Sequence, residues 1–297
     1  MEAKLQDSIH RHDFPGIINE PANFGNVPTE GSQPVGKNAM SKIQWDSQLY
    51  LRYERQRTQP SIDLASRIDL DSPAAIIDLG CGPGNSTRVL RERWPAAHIT
   101  GLDSSTAMIE KARQTSDAID WRIGDIETWY EPNRFDLIFA NASLHWIDDH
   151  ESLTKRLLEA VKPSGIFAFQ MPALYNQPVA QAVHDVSESP AWKSHRLSDR
   201  YTNRTHTPGK YYDWLAPLSK QLQLWETVYF HELANHEAIV EFYSSTGLKP
   251  YLEGLPSAEL KDQFKASVLE AFCNLFPTQR NGKVLFPFRR IFVIAVR

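Results

Sequence analysis

The chain is expected to fold as an α/β protein on a mostly parallel sheet, and three observations predict this. Short apolar runs rich in Ile, Leu and Phe recur around residues 76–79, 98–103, 119–126, 135–140 and 166–171, with stretches of helical character between them. The first run passes directly into a glycine-rich turn, Gly80-Cys81-Gly82-Pro83-Gly84. The later runs end in acidic or polar residues, Asp103, Asp125 and Asn141. Strand and helix in alternation imply parallel pairing with right-handed crossovers. In such a sheet the carboxyl ends of the strands converge on one crevice.

Residues 1–40 are rich in Pro, Gly, Asn and Ser, show no periodicity and read as a poorly ordered tail. Translation is expected to start at Met40 with the preceding residues dispensable; a chain starting at Met40 that had lost activity would refute this. Residues 41–297 then form one domain, with a cofactor-binding core at 41–171 and a lid, a cap and the last two strands at 172–297. Residues 45–68 read as one or two helices, with Leu49, Tyr53, Ile62, Leu64 and Ile68 facing inward and Pro60 marking a break.

In the first strand and its turn, Ile76-Ile77-Asp78-Leu79 leads through three glycines to Asn85-Ser86-Thr87, a strand, loop and helix arrangement suited to a nucleotide. Glycine tolerates positive φ, and its missing Cβ lets a ligand lie against the backbone at a helix N-terminus. A dinucleotide fold would use Gly-x-Gly-x-x-Gly to seat a pyrophosphate. Here the third glycine comes one residue early, Asn85 holds the expected place, and Asp78 puts a carboxylate at the strand tip. A phosphate would be repelled there, whereas S-adenosyl-L-methionine, with an ammonium, a sulfonium and no phosphate, suits Asp78, Gly80 and Gly82. The second strand ends at Asp103-Ser104, nineteen residues after Gly84, where an acid can accept from both ribose hydroxyls. The third, Ile119 to Ile126, brings Asp125 beside an apolar Ile126; Asp125 suits the exocyclic amine of adenine, or it caps the next helix. The fourth, Phe135 to Ala140, ends in Asn141-Ala142-Ser143-Leu144-His145-Trp146.

Helices are expected near 86–94, 105–114 and 149–161, and Lys162-Pro163-Ser164-Gly165 as the turn into a fifth strand, Ile166 to Met171. Beyond it lie a helix near 178–187 and a polar loop from Ser194 to Lys210 that would suit a mobile lid. Leu222 to Leu233 and Val284 to Val296 read as the sixth and seventh strands, the last antiparallel. Helices at Asn235 to Tyr243 and Ser257 to Leu275 form a cap between them. The whole is a Rossmann-like seven-stranded sheet with helices on both faces.

The 297 residues are 41% hydrophobic and 23% charged, ordinary for a globular protein with a sizeable core. A formal net charge of −4 and the lack of a basic run speak against a nucleic-acid partner. No apolar stretch is long enough for a bilayer, and the N-terminus lacks a signal-peptide pattern. Cys81 and Cys273 make no disulfide framework, so a cytoplasmic setting is expected. No metal is expected either: His231 and His236 are five apart, wrong for two ligands on one helix face, and the oligomeric state is left open.

These runs bring out a resemblance. Asp78 to Thr87, Ile99 to Ser105 and Phe139 to Leu144 resemble class I S-adenosylmethionine-dependent methyltransferases, and within them those that act on trans-aconitate. The similarity runs from about Trp45 to the C-terminus and is strongest over 45–171. It implies methyl-ester formation on a carboxylate of trans-aconitate or a related tricarboxylate, a small anionic substrate. A carboxylate nucleophile is already ionised near neutral pH, so no catalytic proton acceptor is nominated. The alternatives are another small acid or hydroxylated metabolite as substrate, or an S-adenosylmethionine-binding regulator without turnover.

Arginine suits a tricarboxylate because its planar fork matches a carboxylate. The resemblance implies Arg57 and Arg290 for this role, while Gln59 stands where a second arginine of the first helix is expected. Tyr212 and His231 lie in segments that resemble the relatives and would add donors, or else serve packing. His145 would hold a carboxylate, act on a hydroxyl substrate, or be structural; Trp146 would shield the sulfonium through its π face or pack.

Overall fold

The structure, a computed structural model, describes residues 54–116, 118–175, 177–197, 205–244 and 246–297, all in the second of the chain's two units, Lys42–Arg297. The expected tail, Met40 and the centre of the expected lid lie outside these residues. Helix α1 (Glu54–Ser66) precedes β1 (Ala75–Leu79), α2 (Asn85–Arg93), β2 (His98–Asp103), α3 (Thr106–Arg113), β3 (Asp120–Ile123) and β4 (Phe135–Asn141). A 3-10 turn (Leu144–Trp146) leads to α4 (His150–Ala160), β5 (Val161–Pro172), α5 (Pro178–Glu188) and α6 (Pro208–Leu215). The chain closes with β6 (Gln221–Leu233), α7 (His236–Ser244), α8 (Lys249–Glu253), α9 (Ala258–Leu275) and β7 (Val284–Val296).

The seven strands lie in the order β3-β2-β1-β4-β5-β7-β6. Pairing is parallel from β3 to β5, and β7 runs antiparallel to both neighbours. The order reverses between β1 and β4, the switch point at which open α/β sheets bind ligands. On one face Leu64, Ile68, Leu90 and Ile109 pack on Ile76, Phe139 and Ile294; on the other Leu153, Leu157 and Leu215 pack on Ile138, Phe167 and Val293.

The last two strands outrun the rest of the sheet. Pairing of β5 with β7 ends at Pro172 and Arg290, while Val284 to Arg289 continue against Val228 to Leu233 of β6. A two-stranded ribbon therefore projects past the carboxyl edge. A lone ribbon is marginal in water, and the cap stabilises it: Phe286 and Phe288 are buried with Phe242, Tyr243, Tyr251, Phe264 and Phe272 of α7, α8 and α9.

Ile62, expected to face inward, is 43% exposed, and four further points depart from expectation. Helix α1 is not broken at Pro60, which lies inside it. A proline there costs about 3 kcal/mol, and burial of Leu64 and Ile68 at roughly 1.5–3 kcal/mol each offsets that. Lys162 to Gly165 are not a free turn but a bulge within β5, between the pairs Phe135–Val161 and Leu137–Ile166. Asp136 holds the bulge, accepting from Lys162 Nζ at 3.0 Å and from the backbone of Ala74 and Ala75. The polar stretch after Ser194 ends early, because α6 starts at Pro208. Finally, α8 went unpredicted, being one turn of mixed sequence. No helix of the described residues is long and apolar enough to cross a membrane.

Candidate functional site

At the switch point the chain turns from β1 into α2 around a buried carboxylate. Asp78 is fully buried; its Oδ2 accepts from Ser86 Oγ and Thr87 Oγ1, each at 2.7 Å, and its Oδ1 has no partner among the described residues. Burial pushes its pKa up to about 6, the two hydroxyls pulling the other way and Asp103 adding a little. One desolvated, unsatisfied oxygen is a site that a cationic N–H donor would relieve.

The three glycines answer different needs. A Cβ on Gly80 would stand 2.3 Å from Ser143 Cβ, and Ser143 Oγ donates to Leu79 O across that contact. A Cβ on Gly84 would meet the Trp121 ring at 2.7 Å. Only at Gly82, with φ +55°, would a Cβ meet nothing within 4 Å. The sequence suggested close approach of a ligand along the turn; two of the glycines instead admit protein, and Gly82 alone faces free space.

Asp103 closes the cradle from β2, Oδ2 accepting from Gly82 N at 2.9 Å and Oδ1 from Ser105 N at 2.8 Å. Burial raises its pKa against those two bonds, and each oxygen keeps a second lone pair. Ser104 beside it is exposed. Asp125 lies two residues past β3, its Oδ1 capping a turn by accepting from Glu127 N at 2.9 Å, so the capping and ligand readings use different oxygens. Ile126 is buried, 3.3 Å from the position a Gly80 Cβ would take.

The raised pKa of Asp78 makes a cationic ligand at this turn measurable. Its carboxyl ionises near 3.8 when unfolded and about 6 when folded, so stability from this group is present at acid pH and is lost as pH rises through about 6. If a cationic ligand sits beside Oδ1, binding near pH 6 should release up to about half a proton, and more at lower pH, seen as a buffer-dependent calorimetric enthalpy. Asp78→Asn should abolish that dependence; a buffer-independent enthalpy for the unaltered protein would rule the contact out.

A second polar group lies further along the same face of the sheet. Gln170 of β5 is fully buried; its Nε2 donates to Asn141 Oδ1, and its Oε1 accepts from Arg290 Nη1 at 3.3 Å. Arg290, 5% exposed, stacks on the Phe288 ring at 4.6 Å from its centroid. His231 is also buried, and burial together with the Arg290 charge pushes its pKa down to about 4, so it is neutral at working pH. Tyr229 donates to Asp63 Oδ2 of α1, whose Oδ1 accepts from Gln59 Nε2 at 2.8 Å. Arg67 lies over Trp225 at 4.4 Å, so α1 covers this face. Arg57 sits in the first described turn of α1, and its side chain is outside the described residues.

His145 and Trp146, half-buried with ring centroids 4.6 Å apart, stand on the 3-10 turn after β4. That turn is held from behind by His150, whose Nε2 bonds to Leu144 O at 3.0 Å and whose Nδ1 meets Tyr211 Oη at 2.6 Å. A carbonyl accepts only, so Nε2 carries the proton and Tyr211 donates to Nδ1. Tyr212, by contrast, is 56% exposed, and its neighbour Tyr211 is the buried one. Sequence reasoning missed His150, Asp63 and Gln170. Gln170 left one signal, a lone amide in the apolar run Ile166 to Met171.

A family model described as a methyltransferase domain matches residues 76–165, which hold the glycine turn and the four strand ends around it. The chain is 40% identical over 254 residues to a trans-aconitate 2-methyltransferase of Azoarcus sp., covering 85% of this chain and 99% of that one. With the protein of that name from Escherichia coli O157:H7 the identity is 37%, over 85% of this chain and 98% of the other. Among solved structures, the YcgJ protein of Bacillus subtilis superposes with a TM-score of 0.53 at 15% identity, over 80% of this chain and 98% of the other, and shares the fold.

Proposed function

The chain belongs to the trans-aconitate 2-methyltransferase family, and on that premise we propose that it esterifies a carboxylate of trans-aconitate. The methyl donor is S-adenosylmethionine, which supplies an electrophilic methyl group on sulfonium. Asp78 Oδ1, unpartnered among the described residues, and the free space beside Gly82 fit its ammonium and its flank. Asp103 and Ser104 would hold the ribose hydroxyls, Asp125 and Ile126 the adenine, and Gly80, Gly82 and Asn141 the aminoacyl and sulfonium end. A cytoplasmic location and the absence of a nucleic-acid partner belong to the same proposal.

The observation that carries the substrate reading is Arg290. It is a buried guanidinium at the carboxyl edge, on the sheet face that also bears Asn141, Tyr229 and His231. A guanidinium fork holds one carboxylate in two parallel bonds, and Arg57, His145 and Tyr212 would serve the others. His231 is neutral and contributes a hydrogen bond rather than charge. Trp146 would shield the transferring methyl. No residue need move a proton, because the attacking carboxylate is already an anion. The protein acts by aligning that oxygen and excluding water, effects that account for about 7–11 kcal/mol in well-oriented systems.

The test is methyl transfer from labelled S-adenosylmethionine to trans-aconitate, cis-aconitate, citrate and isopropylmalate, with products identified by mass spectrometry. A methyl ester formed fastest from trans-aconitate supports the proposal. Cofactor binding with no acid methylated would leave the fold intact and remove the substrate.

A further inference from the structure

Arg290, Gln170 and Asn141 lie on three adjacent strands, β7, β5 and β4, and their side chains form one chain of hydrogen bonds with a fixed direction. Arginine has donors only, so the Gln170 carbonyl must face Arg290. Its amide N–H then faces Asn141, whose carbonyl must receive it. The amide nitrogen of Asn141 is the end left over, and it donates to no described residue. Asn141 is half-buried at the end of β4, next to the turn that carries His145 and Trp146. We propose that Gln170 is a positioning residue that holds Asn141 with its N–H₂ toward the crevice, so that the site offers a donor to an anionic oxygen.

Without this polarity Asn141 could turn either end to the substrate. With its carbonyl inward it would accept from an amine or ammonium. With its nitrogen inward it stabilises a carboxylate. The buried charge thus acts twice, binding one carboxylate directly and setting, through Gln170, the orientation of the donor offered to the reacting one. This rests on the carboxylate reading of the site.

Three variants test it in the full chain. Gln170→Met keeps the volume and removes both bonds; Gln170→Glu keeps the acceptor for Arg290 and offers Asn141 only oxygen, which turns its amide round. Asn141→Asp puts an acceptor where the donor stood. The two Gln170 variants should retain S-adenosylmethionine affinity within about threefold, while KM for trans-aconitate rises about tenfold or more in both, as expected for a lost hydrogen bond to a charged group. Asn141→Asp should lose about a hundredfold in kcat/KM at neutral pH. Its rate relative to the unaltered enzyme should recover as pH falls, because a protonated Asp donates again.

A flat ratio across pH, unchanged kinetics in Gln170→Met, or an effect confined to cofactor affinity would each overturn the relay. Calorimetric binding of trans-aconitate to the S-adenosylhomocysteine complex separates this from the reaction itself. If the unaltered protein binds the acid without methylating it, and Gln170→Met weakens that binding, the relay stands and the esterification reading falls.

Discussion

Arg290→Gln should lower kcat/KM for trans-aconitate by about 100- to 1000-fold, the equivalent of roughly 3 to 4 kcal/mol of transition-state stabilisation. The size follows from burial: at 5% exposure the guanidinium is out of water, so a carboxylate bound to it gains far more than at a screened surface pair, for which about 0–1 kcal/mol is usual. Arg290→Lys should recover part of the loss, since an ammonium restores charge without the two parallel bonds. S-adenosylmethionine affinity should hardly move. Three strand spacings separate β7 from β1 in the sheet, roughly 14 Å. Steady-state kinetics with calorimetry on both variants checks this, and an undiminished kcat/KM in Arg290→Gln would displace Arg290 from the substrate site.

Asp103→Ala should weaken S-adenosylmethionine binding by about 10- to 100-fold, the range for losing hydrogen bonds to a charged group. Its two backbone bonds sharpen the prediction. Asp103 secures both Gly82 N and Ser105 N, so alanine removes the proposed ribose acceptor and also slackens the turn whose free space lies at Gly82. Asp103→Asn keeps one acceptor oxygen and the volume but not the charge, and should fall between alanine and the unaltered protein. Calorimetric affinities in that order support the pose; an unchanged affinity for Asp103→Ala would count against it.

Much of the architecture around the glycine turn was legible in the chain because its signals are local. Strand ends at Asp78, Asp103 and Asn141, and the glycine turn between β1 and α2, are set by side-chain period and by backbone conformations only glycine reaches easily. Even here meaning depended on neighbours. Nothing near Gly80 or Gly84 in sequence announces Ser143 or Trp121, the groups that forbid a Cβ at each. Pro60 misled for a related reason, since local propensity reads a break that the buried face of α1 overrides.

By itself, then, the sequence determined the α/β class, the order of elements, the glycine turn and the acids beside it, all consequences of residues a few positions apart. The tertiary structure alone decided how the groups around Arg290 meet. Gln170 meets Arg290 across 120 residues and Tyr229 meets Asp63 across 166, through the register of a ribbon and the seating of a helix. Hydrophobic periodicity records which face of a strand is buried. It does not record which strand lies beside it, and burial of Arg290, the neutrality of His231 and the direction of the Gln170 amide all follow from that pairing.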